Sequence, residues 1–252
     1  MNQVEKAARF AELHVKGAPL LLYNAWDAGT AKSILDAGAK AIATSSWAVA
    51  EAQGYRDGEA IPIMFVEQIV SRIAITIDAP VTVDFEGGYS EDDGKLAKNV
   101  SRLLELGVVG INFEDRVIQG DGLYPIDRQA RRIAAIREAA GKKGVDLFIN
   151  ARTDLFMGQK GDPAQSVGDA LDRARAYSAA GASGFFVPGL LDDGLIGRIC
   201  DGTALPVNVM VMDGVPPTER LSELGVTRIS YGAIPYIRAM KALREEALKA
   251  LS

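Results

Sequence analysis

Two acidic side chains stand one residue apart at the end of an apolar run, in the segment VDFEGGY at residues 83–89. In a β-strand, alternate side chains point to the same face, so Asp84 and Glu86 would project together, and the glycines behind them relax the backbone. Two carboxylates on one face raise each other's pKa values. A cation between them would remove that cost, so the segment predicts a cation-binding site.

The elements that must position these acids alternate along the chain. Residues 91–107 and 162–181 show the apolar spacing of helices, and each ends in a glycine. Eight short apolar runs are predicted as strands: LLLYN (20–24), AIATSS (41–46), PVTVDFE (80–86), GVVGINFED (107–115), DLFINARTD (146–154), SGFFVPG (183–189), PVNVMV (206–211) and VTRISYG (226–232). No glycine-rich dinucleotide fingerprint follows the first run. We therefore expect an α/β fold, a single (β/α)8 TIM barrel with parallel strands that forms one domain over residues 1–252.

Composition limits the class of function. The net charge of −5 is spread over 252 residues without a block of Lys or Arg, which argues against binding to nucleic acid or to an anionic membrane surface. Cys200 is the only cysteine, so an internal disulfide or a cysteine metal cluster is excluded. No apolar run approaches the roughly 18 residues that span a bilayer. We expect a cytoplasmic protein whose partner is a small molecule.

Polar residues collect at the carboxyl ends of the predicted strands, where barrel enzymes place their chemistry. Asp84, Glu86 and Glu114 fall on consecutive strand ends, and Arg152 follows on the next strand. Each acid by itself is also explained as a solvated loop residue or as a helix cap. Their joint placement favours a site for a hard divalent cation, Mg²⁺ or Mn²⁺, held by carboxylate oxygens and waters.

The chain resembles the isocitrate lyase and phosphoenolpyruvate mutase superfamily over nearly its whole length. The resemblance lies in YNAWDAGTAKSILDAGAKAI, TSSWAVAEAQGYRDGE, VDFEGGY, GINFED and NARTD. NARTD and the acid-x-acid-Gly pattern are the most specific of these motifs. The resemblance implies a barrel in which Mg²⁺ holds the carboxylate and keto oxygens of a 2-oxo acid and stabilises the enolate that forms when a neighbouring bond breaks.

The resemblance also implies a role for each candidate residue. Asp84 is the predicted direct ligand of the metal. Asp57, Glu86 and Glu114 are predicted to hold the metal's waters. The predicted substrate-binding residues are Ser45, Ser46, Trp47, Asp84, Arg152 and Asn208. Ser45 and Ser46 correspond to a Ser-Gly pair that grips the substrate carboxylate, and Arg152 would hold the far anionic group two-pronged. The predicted catalytic residues are Asp57, Arg152 and Ser45.

The segment after the fourth strand departs from the superfamily pattern. C–C lyases carry a Lys-x-Cys-Gly-His loop there, whereas RVIQGDGLYPIDRQ contains neither cysteine nor histidine. The Lys-Thr and Asn or Thr residues of the mutase and of phosphonopyruvate hydrolase are also absent, and Ser46 replaces the glycine of the Ser-Gly pair. Decarboxylation needs no protein base, because carbon dioxide leaves and water can protonate the enolate.

The expected function is therefore that of a Mg²⁺-dependent lyase for a small 2-oxo or 2-hydroxy dicarboxylic acid, similar to oxaloacetate decarboxylase. Two alternatives stay open at this point. One is P–C bond chemistry on phosphonopyruvate, as a hydrolase or a phosphonomutase. The other is a non-catalytic barrel that binds a 2-oxo acid.

Two segments carry further predictions. Residues 117–128 have the composition of either a mobile lid or an ordered surface loop, and in a lid Asp121 or Tyr124 would reach the substrate. The terminal segment IPYIRAMKALREEALKALS is predicted as a helix. The resemblance implies a homo-oligomer, a dimer or tetramer, that exchanges this helix between subunits. The same segment fits equally as the eighth helix of its own barrel.

Overall fold

The computed structural model describes residues 1–158 and 162–252, and eight parallel strands form the centre of this part of the chain. The strands are β1 (Leu20–Leu22), β2 (Ile42–Ala43), β3 (Val81–Asp84), β4 (Gly110–Glu114), β5 (Phe148–Arg152), β6 (Gly184–Phe186), β7 (Val207–Met210) and β8 (Arg228–Ser230). They pair in the order β1-β8-β7-β6-β5-β4-β3-β2. A parallel bridge between Ala25 and Thr44 joins the two ends of this sheet. The prediction of a (β/α)8 barrel is confirmed.

Helices surround the strands. In the described ranges they are α1 (Gln3–Glu12), α2 (Ala28–Asp36), α3 (Ser46–Ala52), α4 (Ile63–Thr76), α5 (Asp93–Glu105), α6 (Ile126–Lys142), α7 (Val167–Ala179), α8 (Asp193–Gly202), α9 (Thr218–Glu223) and α10 (Ile234–Leu251), with a 3-10 helix at Pro163–Ser166. None of them combines the length and the apolar character that a bilayer span requires.

Local sequence signals explain where these helices begin and end, as α5 illustrates. The side chain of Asp92 accepts a hydrogen bond from the Lys95 backbone N–H at 2.8 Å and so caps the first turn. Apolar residues at helical spacing, including Leu96 and Val100, are buried against the barrel. Gly107 follows the helix at φ +89°, a conformation that favours glycine. The predicted helix in residues 91–107 is confirmed.

The start of α3 differs from the prediction. The predicted strand at residues 41–46 ends at Ala43, and Ser45 is the N-cap of α3, with its side chain accepting from Ala48 N at 3.4 Å. Ser46 is the first residue of that helix rather than a strand residue. An N-cap serine satisfies an otherwise unpaired helical N–H, which favours the helix over further strand. The Ser46 N–H therefore points out of a helix N-terminus.

Aromatic residues close the amino-terminal end of the barrel. The Phe10 ring of α1 packs edge-on against Phe148 with centroids 5.4 Å apart, and His14, two residues beyond α1, stacks on Phe148 at 4.0 Å. Burial, together with the charge of Arg228, lowers the pKa of His14 to about 3, so its ring is neutral. His14 is a packing residue at the end of the barrel opposite the acids.

The last helix leaves the barrel. Pro235 is its buried residue, and all positions of residues 241–252 are exposed. The exposed apolar side chains of α10 are Ile237, Met240, Leu243, Leu248 and Leu251. A groove of about 580 Å³ lies on the outside of β1 beside α2 and is lined by apolar residues such as Leu21 and Ile34. Neither apolar surface is covered within the described chain.

Candidate active site

The carboxyl ends of three neighbouring strands bring acids and an arginine to one mouth of the barrel. Asp84, Glu114 and Arg152 are the last residues of β3, β4 and β5. The strand register pairs Asp84 with Asn112 and Glu114 with Arg152. Paired residues of neighbouring strands point to the same face, so these four side chains share the barrel interior.

Asp84 is fixed from two sides. Its Oδ2 accepts a hydrogen bond from the Ser46 backbone N–H at 3.1 Å and another from the Ser46 hydroxyl at 2.9 Å. Its Oδ1 accepts from Asn112 Nδ2 at 3.3 Å. The N-terminus of α3 and the Ser46 hydroxyl thus hold the Asp84 carboxylate in place.

Glu86 ties the loop that carries Asp57 to the barrel mouth. Its Oε2 accepts from the backbone N–H groups of Gly58 at 2.9 Å and Glu59 at 2.8 Å, and its Oε1 accepts from the Tyr89 hydroxyl at 3.3 Å. Glu59 Oε1 in turn accepts from Tyr89 N at 2.7 Å. Glu59, Glu86 and Tyr89 have φ values of +58°, +49° and +61°, which non-glycine residues rarely adopt. Such backbone strain is concentrated at functional sites.

The acids at the mouth disfavour one another's ionised forms. Burial and the neighbouring Asp84 raise the pKa of Asp57. Burial, Asp57 and Asp84 raise the pKa of Glu86 to about 8. Burial also raises the pKa of Glu114, against the opposing effect of Arg152. The cluster is therefore short of positive charge, and a cation placed among these oxygens would lower all three pKa values.

Arg152 is held by two carboxylates. Its Nη1 lies 3.0 Å from Glu114 Oε2, and its Nε and Nη2 donate to the two oxygens of Asp154 at 2.6 and 2.9 Å. Burial opposes its charge, but Glu114 and Asp154 outweigh burial and raise its pKa. Of the five N–H groups of the guanidinium, the bonds to Asp154 use two and the ion pair with Glu114 takes a third, so within the described residues one N–H remains on each terminal nitrogen. These two can grip an anionic group.

The sequence matches the profile of a family, described as phosphoenolpyruvate phosphomutase, over residues 10–251. The chain belongs to this family. A solved structure from Burkholderia cenocepacia J2315, provisionally described as a phosphonomutase, is 43% identical and has a TM-score of 0.96, with 99% of this chain and 100% of that chain covered. An uncharacterised protein of Mycobacterium tuberculosis H37Rv is 32% identical over 94% of this chain and 87% of its own length.

Among the curated relatives, an oxaloacetate decarboxylase of Pseudomonas savastanoi pv. phaseolicola is 28% identical over 72% of this chain and 63% of its own length. Other relatives are named as methylisocitrate lyases and as a phosphoenolpyruvate phosphomutase. The homologues are thus lyases and mutases of the isocitrate lyase and phosphoenolpyruvate mutase superfamily, and this chain is an enzyme of that superfamily. The resemblance noted from the sequence is confirmed.

The three remaining candidate residues, Ser45, Trp47 and Asn208, contact different parts of the structure. Ser45 is buried and its hydroxyl caps α3. Trp47 packs against Tyr236 at the start of α10, with centroids 5.9 Å apart. Asn208 is fully buried in the barrel and donates to Ser230 Oγ at 3.2 Å. Ser45 thus caps the helix whose first residue, Ser46, binds Asp84. Trp47 and Asn208 contact other residues.

The segment predicted as a lid or a surface loop forms a turn. Arg116 and Leu123 form an antiparallel bridge, and Val117 N donates to Gly122 O at 3.0 Å. Its tip, which includes Asp121, is exposed. The Tyr124 ring lies 4.4 Å from the Arg132 guanidinium, and burial raises the pKa of its hydroxyl against the opposing charge of Arg132.

This turn nevertheless reaches the edge of the site. A Cβ on Gly87 would lie 2.8 Å from Ile118 Cγ1 and 3.0 Å from Glu59 Oε1. The close approach requires glycine at position 87, directly after Glu86. The first glycine behind the acid pair therefore lets the turn pack over the loop that carries Asp57.

Two polar residues inside the barrel, Asn112 and Arg228, are not among those predicted from the sequence. Asn112 contacts Asp84, and Arg228 contacts Asn112 at 3.0 Å. Both stand at inward-facing positions of strands that are otherwise apolar, in GINFED and VTRISYG. A polar residue at such a position is the signal that would have indicated them.

The donor set fits a divalent cation. The oxygens of Asp57, Asp84, Glu86 and Glu114 are hard ligands of the kind that Mg²⁺ and Mn²⁺ prefer. In the described part of the chain, no three Asp, Glu, His or Cys side chains are placed to ligate one ion together. A Mg²⁺ ion with one direct carboxylate ligand needs no such group, because Mg²⁺ usually keeps several waters.

Proposed function

We propose that this enzyme is a Mg²⁺-dependent lyase that decarboxylates a small 2-oxo dicarboxylic acid, with oxaloacetate as the substrate. The observation that carries the proposal is the carboxylate cluster at the carboxyl ends of β3 and β4, which is short of positive charge and lies beside an arginine with two free N–H groups. When bound, the cation supplies a Lewis acid that stabilises the enolate of the substrate.

Asp84 would be the direct ligand of the cation, because its carboxylate is held in place and keeps a free lone-pair position. Ser46 and Asn112 occupy three of its lone-pair positions, and about one remains free on Oδ1. Asp57, Glu86 and Glu114 would accept hydrogen bonds from the waters of the cation. Burial and the neighbouring Asp57 and Asp84 raise the pKa of Glu86 to about 8, so a positive charge that enters the site favours its ionisation.

Arg152 would hold the carboxylate of the substrate that lies farther from the cation. Its two free N–H groups sit on a guanidinium already fixed by Glu114 and Asp154, so the fork is in place before the substrate binds. Preorganised donors of this kind bind an anion with little loss of side-chain entropy. The same fork would also fit a phosphonate.

The turn after β4 favours decarboxylation over C–C cleavage that requires a protein acid. The Tyr124 ring lies on the Arg132 guanidinium, and Asp121 is exposed at the tip. In the described residues neither side chain forms an ion pair or a hydrogen bond with Asp57, Asp84, Glu86 or Glu114. Loss of carbon dioxide needs no such group, since water can protonate the product.

The test measures oxaloacetate loss with Mg²⁺, above the rate with Mg²⁺ alone, for the wild type, Asp84→Ala and Arg152→Ala. We expect turnover in the wild type and its loss in both variants. Arg137→Met serves as a control, because Arg137 bonds Gly181 O and Ser183 Oγ away from the site. Equal rates in the wild type and Asp84→Ala would refute the proposal.

Phosphonopyruvate is the second candidate substrate. The 43% identical Burkholderia protein, provisionally described as a phosphonomutase, favours it. Phosphate release from phosphonopyruvate would indicate hydrolysis, and formation of phosphoenolpyruvate would indicate the mutase reaction. Either result without oxaloacetate turnover would replace the first proposal.

We further propose that the enzyme is a homo-oligomer in which α10 of one subunit covers the β1 groove of another. The helix presents five exposed apolar side chains, and the groove of about 580 Å³ beside Leu21 and Ile34 is apolar. Leaving both in water is unfavourable, and two copies can bury both. Light scattering should give a dimer or tetramer for the wild type and a smaller species for Leu243→Asp. A monomeric wild type would refute this assembly.

A further inference from the structure

Arg228 is a buried cation inside the barrel. It is the first residue of β8 and is 1% exposed. Its Nη2 donates to Asn112 Oδ1 at 3.0 Å and its Nε donates to Ser230 Oγ at 3.4 Å, whereas Nη1 has no hydrogen-bond partner among the residues that the structure describes. In the described residues Arg228 makes no salt bridge. Burying a charge without an ion pair is costly, so packing alone does not explain an arginine at this position.

Asn112 connects this cation to the metal-site acid. Its Oδ1 accepts from two donors, Asn150 Nδ2 at 2.9 Å and Arg228 Nη2 at 3.0 Å. Two donors on one side require the amide oxygen there, so they fix which way the amide faces. The amide nitrogen is then turned to the other side, where it donates to Asp84 Oδ1 at 3.3 Å.

The bond from Asn112 determines which oxygen of Asp84 is free. Oδ2 receives both hydrogen bonds from Ser46, at 3.1 and 2.9 Å, and Oδ1 receives only that of Asn112. An ionised carboxylate has about four lone-pair positions, so the free one belongs to Oδ1. A reversed amide would bring its oxygen against Oδ1 and repel it, which would rotate the carboxylate away from Ser46.

We propose that Arg228 is a positioning residue for Asp84, which it orients through the side chain of Asn112 for metal binding. This inference rests on the proposed function only in taking Asp84 as the ligand of the divalent cation. The residues that hold a metal ligand in place are worth about 10- to 100-fold in metal affinity. Arg228 and Asn112 therefore contribute to metal binding although neither touches the metal.

Two effects of Arg228 act in opposite directions and can be separated. Its positive charge by itself weakens the binding of a cation, so removing the charge alone would tighten metal binding. Its geometric effect strengthens binding, so removing it would weaken metal binding. Arg228→Met removes both the charge and the donor, while Arg228→Lys keeps the charge and loses the planar fork. Positioning predicts weaker binding in both variants, whereas charge alone predicts tighter binding in Arg228→Met and unchanged binding in Arg228→Lys.

The test is calorimetric titration of the full-length protein with Mg²⁺ alone. We expect Arg228→Met and Asn112→Leu to bind Mg²⁺ at least tenfold more weakly than the wild type, with Arg228→Lys intermediate. Arg137→Met is the matched control, an arginine that bonds a backbone carbonyl and a serine far from Asp84, and it should bind Mg²⁺ like the wild type. Thermal unfolding without Mg²⁺ reports any loss of folding separately. If Arg228→Met does not fold, Arg228→Lys and Asn112→Leu carry the test.

The dependence of the rate on Mg²⁺ concentration is a second measurement, and a general loss of structure would not produce the change expected in it. In the variants the Mg²⁺ concentration for half-maximal rate should rise by the same factor as the dissociation constant, and kcat should recover at saturating Mg²⁺. Unchanged Mg²⁺ affinity in Arg228→Met and Asn112→Leu, or tighter binding in Arg228→Met, would overturn the inference and leave the proposed function standing.

Two further outcomes separate the inference from the proposed function. Weaker Mg²⁺ binding in the variants of a wild type that does not turn over oxaloacetate would support the positioning role and reject the substrate. A wild type that binds no Mg²⁺ would overturn both.

Discussion

The substitution Glu86→Gln tests whether the buried Glu86 carboxyl has a raised pKa in the metal-free site. Glu86 is 4% exposed, and burial, Asp57 and Asp84 raise its pKa to about 8. Glutamine keeps the shape of the side chain. Its oxygen can accept from the N–H groups of Gly58 and Glu59, and its amino group can donate to the Tyr89 hydroxyl. The substitution therefore removes the ionisation, keeps the two bonds from the backbone and reverses the direction of the bond with Tyr89.

The magnitude follows from the raised pKa. The ordinary pKa of 4.5 applies to the unfolded chain and the value of about 8 to the metal-free fold. Below 4.5 both states are protonated and Glu86 has no effect. As the pH rises from there, the unfolded chain ionises first, so the fold loses stability until the pH passes about 8. Each pH unit corresponds to about 1.36 kcal/mol, which gives a total loss of roughly 5 kcal/mol.

The assay is urea unfolding of the metal-free protein between pH 5 and 9, followed by the fluorescence of Trp26 and Trp47. The wild type should lose stability across this range more steeply than Glu86→Gln. Other buried acids titrate in both proteins, so the difference between the two curves isolates Glu86. Glu86→Gln should be the more stable protein at pH 8.5 without metal, and saturating Mg²⁺ should reduce the difference, because the cation favours the ionised carboxylate.

Two results would refute this reasoning. Parallel stability curves of the two proteins would mean that Glu86 titrates as an ordinary glutamate despite its burial. A less stable Glu86→Gln at pH 8.5 would mean that the hydrogen bonds from Gly58 and Glu59 to the carboxylate outweigh the cost of burying it.

Three further predictions follow from the same geometry. Ser46→Gly keeps the backbone hydrogen bond to Asp84 and loses the hydroxyl bond, so calorimetry should show Mg²⁺ affinity lowered by about tenfold or less. Arg152→Lys keeps the charge but loses the fork, and kcat/KM for oxaloacetate should fall by about 10- to 100-fold; an unchanged value would contradict a two-pronged grip. Gly88 has φ +82° and an added methyl would collide with Leu96 Cδ1, so Gly88→Ala should lower the free energy of unfolding by about 1–3 kcal/mol more than Gly54→Ala, where φ is +75° in open space.

Much of the fold and part of the site could be predicted because their signals are local. Strands and helices differ in the spacing of apolar residues, and the glycines and capping residues that end them stand next to them in the chain. In a barrel the ends of parallel strands meet, so the placement of Asp84, Glu114 and Arg152 at one mouth followed from strand order alone. The boundary at Ser45 was misplaced, since a serine after an apolar run suits both a strand end and a helix N-cap.

The orientation of the site depends on contacts that no local pattern encodes. Glu86 could be predicted to accompany Asp84, but its hydrogen bonds to Gly58 and Glu59 depend on a loop nearly thirty residues earlier. The sequence indicated a terminal helix without indicating whether it packs on its own barrel. Only the closed barrel decides that α10 departs from it and leaves the groove beside β1 open.

The sequence by itself thus determined the eight strands and the set of acids at their ends, because the period of the side chains and the order of the strands are properties of the chain. Only the tertiary structure decided that Arg228 reaches Asn112, 116 residues away, and that Asn112 turns its amide toward Asp84. The physical reason is closure: β8 and β4 do not pair with each other, and their inward side chains meet only because the sheet curls until its two ends join.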